Sequence, residues 1–273
     1  MQNAITIFVL ILFSALFLSI RQPAGISWEK LDEGLHYAEY IFPKKSAISN
    51  NRISILKVDP AQYKLSLFTA KRKGEEVKTA KEWGDEKRQV AIFNAGMYLM
   101  DFATNAGFMS DYGFVNNGKM NKDNTVMAFN RKDESVPHFQ ISDKTYQNWD
   151  SLKIKYESFS QSIRMVDCQQ KNRWSQQNKK WSMVVIGKDK DGNALFIFTR
   201  SPYTVHDFVN TLLSSELNIY TLMYLEGGPE ASFYLNHPKK QVARMGSYET
   251  DFMENDNNHR FWQIPNVIGI ERR

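Results

Sequence analysis

The residues best placed to do chemistry lie in one short run, Tyr224-Leu225-Glu226-Gly227-Gly228-Pro229-Glu230-Ala231-Ser232. An apolar stretch, 221–225, stops abruptly at the Glu226 carboxylate. Two glycines and a proline follow, then a second carboxylate, Glu230, and a hydroxyl, Ser232. Glycines at a strand end let a ligand approach the backbone closely and free amides to form an anion-binding concavity. Carboxylates flanking such a turn are the groups that bond hydrolysis uses as acid, base or nucleophile. A solvated turn with two surface glutamates is the plainer reading of a Gly-Gly pair taken alone. The apolar runs on both sides, which read as buried strands, favour a site.

Two further places concentrate unusual residues. In Phe93-Asn94-Ala95-Gly96-Met97-Tyr98 a strand end delivers an amide side chain into a glycine turn, with Asp101, Asn105, Gly107 and Asp111 just beyond. Asn94 offers one donor and one acceptor to a hydroxyl or phosphate oxygen. The competing reading is an Asn that closes a turn on its own backbone. In Ser160-Gln161-Ser162-Ile163-Arg164, a strand would set Ser160, Ser162 and Arg164 on one strongly polar face. Arg164 has the fork to clamp a phosphate, against the commoner role of a half-exposed surface arginine. His206, next to Asp207 at a helix start, is a weak acid–base candidate, and the other four histidines have no metal-like spacing. Cys168, the single cysteine, excludes an internal disulfide and lacks neighbours that would activate a thiolate.

The elements that must position these groups read mostly as strands. Residues 53–58 and 63–68 alternate apolar and polar around Asp59-Pro60 and predict a hairpin. A short helix over 77–83 leads into a buried strand over 90–93. Strands follow at 107–115 and 127–130, separated by the turn Asn116-Asn117-Gly118-Lys119. Residues 181–187 and 194–199 form a hairpin around Asp189-Lys190-Asp191-Gly192. The spacing over 205–213 fits a helix with Thr204 as N-cap. Strands at 221–225 and 266–270 complete the pattern, and the polar segments 169–180 and 248–259 read as long loops that could rim a cleft.

Composition narrows the function classes. With 273 residues and 42% hydrophobic content the chain can bury a substantial core. A net charge of +5 is spread over pairs such as Lys44-Lys45 and Lys239-Lys240, with no basic block, so no nucleic-acid track is expected. No His-Glu-x-x-His, no cysteine pair and no Gly-x-x-x-x-Gly-Lys-Ser/Thr is present, which argues against structural zinc and a Walker-type nucleotide site. No cofactor is called for. Divalent-cation chemistry at phosphorus is the alternative, and the acidic residues at 101–111 lack a histidine-rich ligand set to support it. Residues 4–20 are apolar except for Thr6, Ser14 and Ser19, so 1–22 reads as a signal peptide or membrane anchor that meets the export machinery or the membrane.

In order along most of the chain, these segments resemble the phosphodiester glycosidase family. Asn94-Ala95-Gly96-Met97-Tyr98 is similar to its Asn-(Ala/Gly)-Gly-(Met/Phe)-Phe segment, and 107–119 to the following glycine strand and Asn-Gly-Lys-like turn. Gln161-Ser162 and Arg164 fall on its Gln-Ser-Gly-Pro-like strand. The most specific likeness is Leu225 to Ser232 against Leu-Asp-Gly-Gly-x-Ser-x-Ser. Departures are Glu226 for the usual Asp, Glu230 for a small residue, Ile163 for a glycine, and Ser182 where a hairpin start usually carries an arginine.

The resemblance implies an α+β fold, one mixed domain over 23–273 with a largely antiparallel twisted sheet core. It implies hydrolysis of a sugar-1-phosphodiester in an envelope or extracellular glycan, and so an exported protein that is periplasmic, anchored or secreted. Glu226 and Glu230 are then the catalytic pair, on the sugar side. Asn94, Gly96, Ser162, Arg164, Gly227, Gly228 and Ser232 hold the sugar and phosphate. The rival from another class is a non-catalytic envelope protein that binds polysaccharide or wall phosphodiesters through the same pocket.

Overall fold

The computed structural model describes residues 25–273, so the segment 1–22 lies outside the described residues. Among the described residues no helix is long and apolar enough to cross a membrane. Three large antiparallel sheets and a two-stranded ribbon, Lys78–Thr79 with Gln263–Ile264, make up the described fold. A seven-stranded sheet runs in the order Glu29–Asp32, Leu35–Ile41, Arg52–Val58, Ala194–Tyr203, Trp181–Asp189, Ile219–Gly227, Arg164–Val166. A five-stranded sheet runs Lys240–Met245, Ser232–His237, Ala91–Asn94, Asn266–Arg272, Tyr63–Thr69. The third runs Phe139–Asp143, Thr125–Arg131, Tyr156–Ser162, Met109–Asp111, Phe114–Asn117. This is the expected antiparallel α+β class.

Continuous apolar strands make sense here because the central strands are buried on both faces. In Trp181–Asp189, Val184 and Ile186 join the core shared with the other two sheets, while Met183 and Val185 point the opposite way. There they meet the helix Val205–Leu213 through Val205, Phe208, Val209 and Leu212. Thr204 caps that helix as expected, its side chain accepting from the Asp207 N–H. A second helix, Ala80–Lys87, covers the outer face of the first five-stranded sheet with Trp83. It starts three residues later than expected because a Thr79–Glu82 capping box fixes its first turn.

Two expectations from alternation fail for one reason, the demand of separate sheets. Residues 52–58 and 63–69 do not pair with each other. Arg52–Val58 pairs with Leu35–Ile41 and Ala194–Tyr203, whereas Tyr63–Thr69 pairs with Asn266–Arg272. The turn at Asp59 is a crossing between sheets, closed by Asp59 O accepting from the Gln62 and Tyr63 N–H groups. Likewise Ser160, Ser162 and Arg164 do not share one strand face. Tyr156–Ser162 belongs to the third sheet and Arg164–Val166 to the seven-stranded one, with the chain changing sheets at Ile163. The run 107–115 is also broken, folding back at Tyr112-Gly113 so that Met109–Asp111 pairs with Phe114–Asn117.

Phe93 sits fully buried between the sheets, 4.1 Å from the Phe196 ring and 4.8 Å from Phe233. Phe93→Ala is expected to lower unfolding free energy by roughly 3–5 kcal/mol in urea titration. A loss below about 1 kcal/mol would mean this aromatic contact does not hold the sheets together.

Candidate active site

The strand Ile219–Gly227 carries the site. Its register against Trp181–Asp189 slips at two points, and the one at the site leaves Leu225 as an extra residue: Val184 faces Glu226 and Val185 faces Tyr224. Such a bulge bends the strand and re-aims the side chain beside it, here Glu226. Past Gly227 the chain makes a single tight turn, Gly228–Glu230, and enters Ser232–His237 in the neighbouring sheet. The run 226–232 is therefore a corner between sheets and not a hairpin.

At this corner a cleft of about 370 Å³ is lined by Tyr98, Tyr224, Glu226, Gly227, Glu230 and Glu249, with Leu99, Met100 and Phe102 on one side. The two expected carboxylates converge, and a third, Glu249, joins them from the loop after Lys240–Met245. A Cβ on Gly228 would lie 2.2 Å from Glu249 Oε2 and 3.4 Å from Glu230 Oε2. Gly228 also has φ +61°, a left-handed conformation that side chains resist. Gly227 makes room on the other side, where a Cβ would fall 2.7 Å from the Trp181 ring. The paired glycines are thus the space into which acids and aromatics crowd.

Crowding changes the protonation of these acids. Loss of solvent pushes the Glu226 carboxyl up to about 8, helped by Glu230 and Glu249 and opposed by a 3.1 Å hydrogen bond from the Gly227 N–H to Glu226 Oε1. Glu230 is pushed up to about 7, again by desolvation first, with a backbone hydrogen bond opposing and the Glu249 charge adding. Glu249 is raised by burial, with Lys179 acting in the opposite direction. Burial and the two acids Glu230 and Glu226 also raise the Tyr98 phenol. Near neutral pH the cluster therefore retains protons and titrates as a unit.

The other expected ligands have different neighbours. Asn94 donates from Nδ2 to the Glu230 carbonyl at 3.1 Å and accepts the Ser232 N–H at 2.8 Å, so both amide atoms fix the corner. Ser232 is buried and its hydroxyl donates to the Glu230 carbonyl. Gly96 and Ser162 do not line the cleft; Gly96 packs against Asn105, and the Ser162 hydroxyl is buried without a partner among the described residues. Arg164 turns toward Asp143, with Nη1 3.0 and 2.8 Å from its two oxygens, and is not brought to the cleft. The Gly227 N–H is occupied by Glu226. His206 meets Asn210 at the start of its helix.

Three contributors were hidden in the sequence. Glu249 sits in a polar loop whose mix of acids and amides gave no direction. Arg200 anchors that loop, donating to Asp256 Oδ1 at 2.7 Å and to the carbonyls of Met245, Asp256 and Asn258. Asn116 holds the loop behind Tyr98, giving its Nδ2 to Thr69, Ala103 and Asn266 and taking the Asn105 N–H. Among the described residues no lysine or arginine lines the cleft. Asp101 bonds within its own loop to Thr104, and Asp111 pairs with Arg72. Among the described residues no group of three or more His, Cys, Asp or Glu side chains is disposed to hold a metal ion.

The family model for phosphodiester glycosidase matches residues 87–271, which contain every residue of this cleft. The catalytic domain of zebrafish N-acetylglucosamine-1-phosphodiester alpha-N-acetylglucosaminidase, auto-inhibited by its pro-peptide, shares the fold with a TM-score of 0.60 at 14% identity, over 91% of this chain and 82% of that one. A hypothetical protein from Synechocystis aligns with a TM-score of 0.58 at 10% identity, over 91% of this chain and 64% of that one. No curated protein sequence matches the chain significantly.

Gly228→Ala is expected to destabilise by roughly 1–2 kcal/mol from φ alone, and to displace Glu249; a thermal melt within 1 °C of the parent would show the turn to be relaxed. A raised folded-state carboxyl binds its proton more tightly than the unfolded chain does. Its stabilising effect is complete below about pH 4.5 and is lost as pH rises through 7 to 8. Glu226→Gln should therefore flatten the fall in unfolding free energy between pH 5 and about 8. Parallel pH curves for parent and variant would contradict the crowded cluster.

Proposed function

We propose that this chain, which belongs to the phosphodiester glycosidase family, cleaves the bond between a sugar C1 and a phosphodiester in an envelope or extracellular glycan. It is a hydrolase of that kind; the substrate and setting are our reading. The observation that carries it is the convergence of Glu226, Glu230 and Glu249 at the sheet corner inside the family-matched segment. The zebrafish relative, by its name, acts on an N-acetylglucosamine-1-phosphodiester, and we extend that linkage type to this chain. Export is proposed from the apolar run at 4–20.

A phosphate monoester leaves readily, so full protonation of the departing oxygen matters less than support for the oxocarbenium-like sugar. In our scheme the C1–O bond breaks with its electron pair leaving on the phosphate oxygen. Water supplies the oxygen that ends on C1, and its released proton passes to the carboxylate cluster. Glu226 faces C1 as the principal carboxylate. Glu230 and Glu249 hold its proton affinity high and bind sugar hydroxyls, with Tyr98 and Tyr224 as the surrounding wall. The phosphate stays away from the acids, because like charges at about 4 Å repel by on the order of 4 kcal/mol at the effective dielectric near a protein surface.

Turnover of a methyl diester of N-acetylglucosamine 1-phosphate, with products resolved, tests this. Free sugar plus methyl phosphate is expected; sugar 1-phosphate would place the chemistry at phosphorus. Glu226→Gln should lower kcat by roughly 10²–10⁴-fold, and unchanged turnover would remove it from the reaction. The acid limb of the kcat/KM profile should fall near pH 7 to 8 and move down in Glu249→Gln, since a like charge is gone. A limb at pH 4–5 in the parent would show an isolated carboxylate instead.

A further inference from the structure

The acids of the cleft have no counter-ion beside them. Glu226, Glu230 and Glu249 line it together with the phenol rings of Tyr98 and Tyr224, and among the described residues no lysine, arginine or histidine does. Lys179, the cation that acts on Glu249, is not in the lining and is paired with Asp251 at 3.0 Å. Three carboxyl groups and two aromatic rings thus share a cavity of about 370 Å³ inside the family-matched segment.

We propose that the sugar seated here carries a free amino group, whose ammonium binds between Glu230 and Glu249, so that the substrate class is an amino-sugar 1-phosphodiester. This deepens the proposed hydrolysis and rests on it. It also sets this chain apart from the zebrafish relative, whose name specifies an acetylated amine.

Geometry is the first argument. The Oε2 atoms of Glu249 and Glu230 approach one point beside the Gly228 backbone, the place a Cβ would take, to 2.2 and 3.4 Å. An ammonium has three donors and holds carboxylate oxygens at about 2.8 Å, so one nitrogen can bridge two oxygens set this close. Glu226 keeps its Oε1 on the Gly227 N–H at 3.1 Å and is left for C1.

Charge is the second argument. Glu249 and Glu230 act unfavourably on Glu226, and Glu249 on Glu230, so a cation placed among them offsets the repulsion directly. Tyrosine faces attract a cation as well. The Tyr224 ring is held for this by Trp174, with centroids 5.5 Å apart.

Hydrogen bonding is the third. An acetamide carbonyl needs a donor, but the Gly227 N–H is already given to Glu226 and ionised carboxylates only accept. A hydroxyl would find acceptors yet leave the charges unbalanced. An ammonium meets both demands.

Four methyl diesters test the proposal at about pH 7, where a sugar amine is still largely charged: those of glucose, N-acetylglucosamine, glucosamine and 6-amino-6-deoxyglucose 1-phosphate. The better amino sugar should have a KM roughly 10- to 100-fold below that of glucose, and N-acetylglucosamine should gain nothing comparable. Glu230→Gln and Glu249→Gln should each cut the kcat/KM ratio of amino sugar to glucose by about tenfold. That ratio is insensitive to a general loss of activity. Equal KM values, an N-acetylglucosamine KM as low as the better amino sugar's, or an unchanged ratio in either variant would overturn the proposal. A 2-aminoethyl diester of glucose 1-phosphate checks the other source of an ammonium. If it gains over the methyl diester as much as the amino sugars do, the ammonium belongs to the aglycone and the assignment to the sugar falls.

Should the parent protein turn over none of these diesters, the hydrolase reading fails, and calorimetry with the free sugars judges the ammonium site alone. Glucosamine or 6-amino-6-deoxyglucose should then bind at least about tenfold more tightly than glucose and lose that advantage in Glu249→Gln. Equal binding of amino sugars and glucose, or none, overturns the site.

Discussion

Like-charge crowding at one corner is the constraint to which the surrounding structure answers. Glu226, Glu230 and Glu249 meet where the chain leaves the seven-stranded sheet for its five-stranded neighbour. Carboxylates brought together out of water repel one another and lose hydration, so they come together only if the backbone around them cannot relax. Proton retention relieves part of the conflict: desolvation and neighbouring acids act in the same direction on Glu226 and Glu230, while on Glu249 burial is opposed by Lys179.

The rigidity comes from both sheets at once. The bulge at Leu225 turns Glu226 into the cleft while Leu225 itself stays in the central core. Asn94, at the end of the strand Ala91–Asn94, uses its amide as a two-point clamp on the backbone around Glu230 and Ser232. Arg200 does the same for the Glu249 loop from the far side, with four donations into residues 245–258. Buried polar groups of this kind are costly when unpaired, so each clamp is a strong determinant of where its carboxylate ends up. Gly227 and Gly228 complete the arrangement by absence of side chain, since a methyl group at either would collide with Trp181 or Glu249.

Much of the fold was legible because long apolar runs and turn residues act locally. The hairpin of Trp181–Asp189 with Ala194–Tyr203, the capped helix Val205–Leu213 and the last strand follow from periodicity and capping chemistry alone. Alternation misled at Asp59 and at Ile163 because it reports which faces are buried, not which sheet a strand joins. A strand buried on both faces can satisfy the same pattern beside different partners.

At the site, the sequence by itself determined that Glu226 and Glu230 flank a glycine corner, since a strand that ends on a carboxylate before Gly-Gly is a local pattern. It also determined the family likeness in Asn94-Ala95-Gly96 and Leu225 to Ser232. Tertiary structure decided the roles. It set Asn94 on the backbone of the corner, gave Arg164 to Asp143 and brought in Glu249 from a loop. The physical reason is that a side chain's type fixes which bonds it can make, while only the packing of distant strands fixes which partner is within 3 Å to make them.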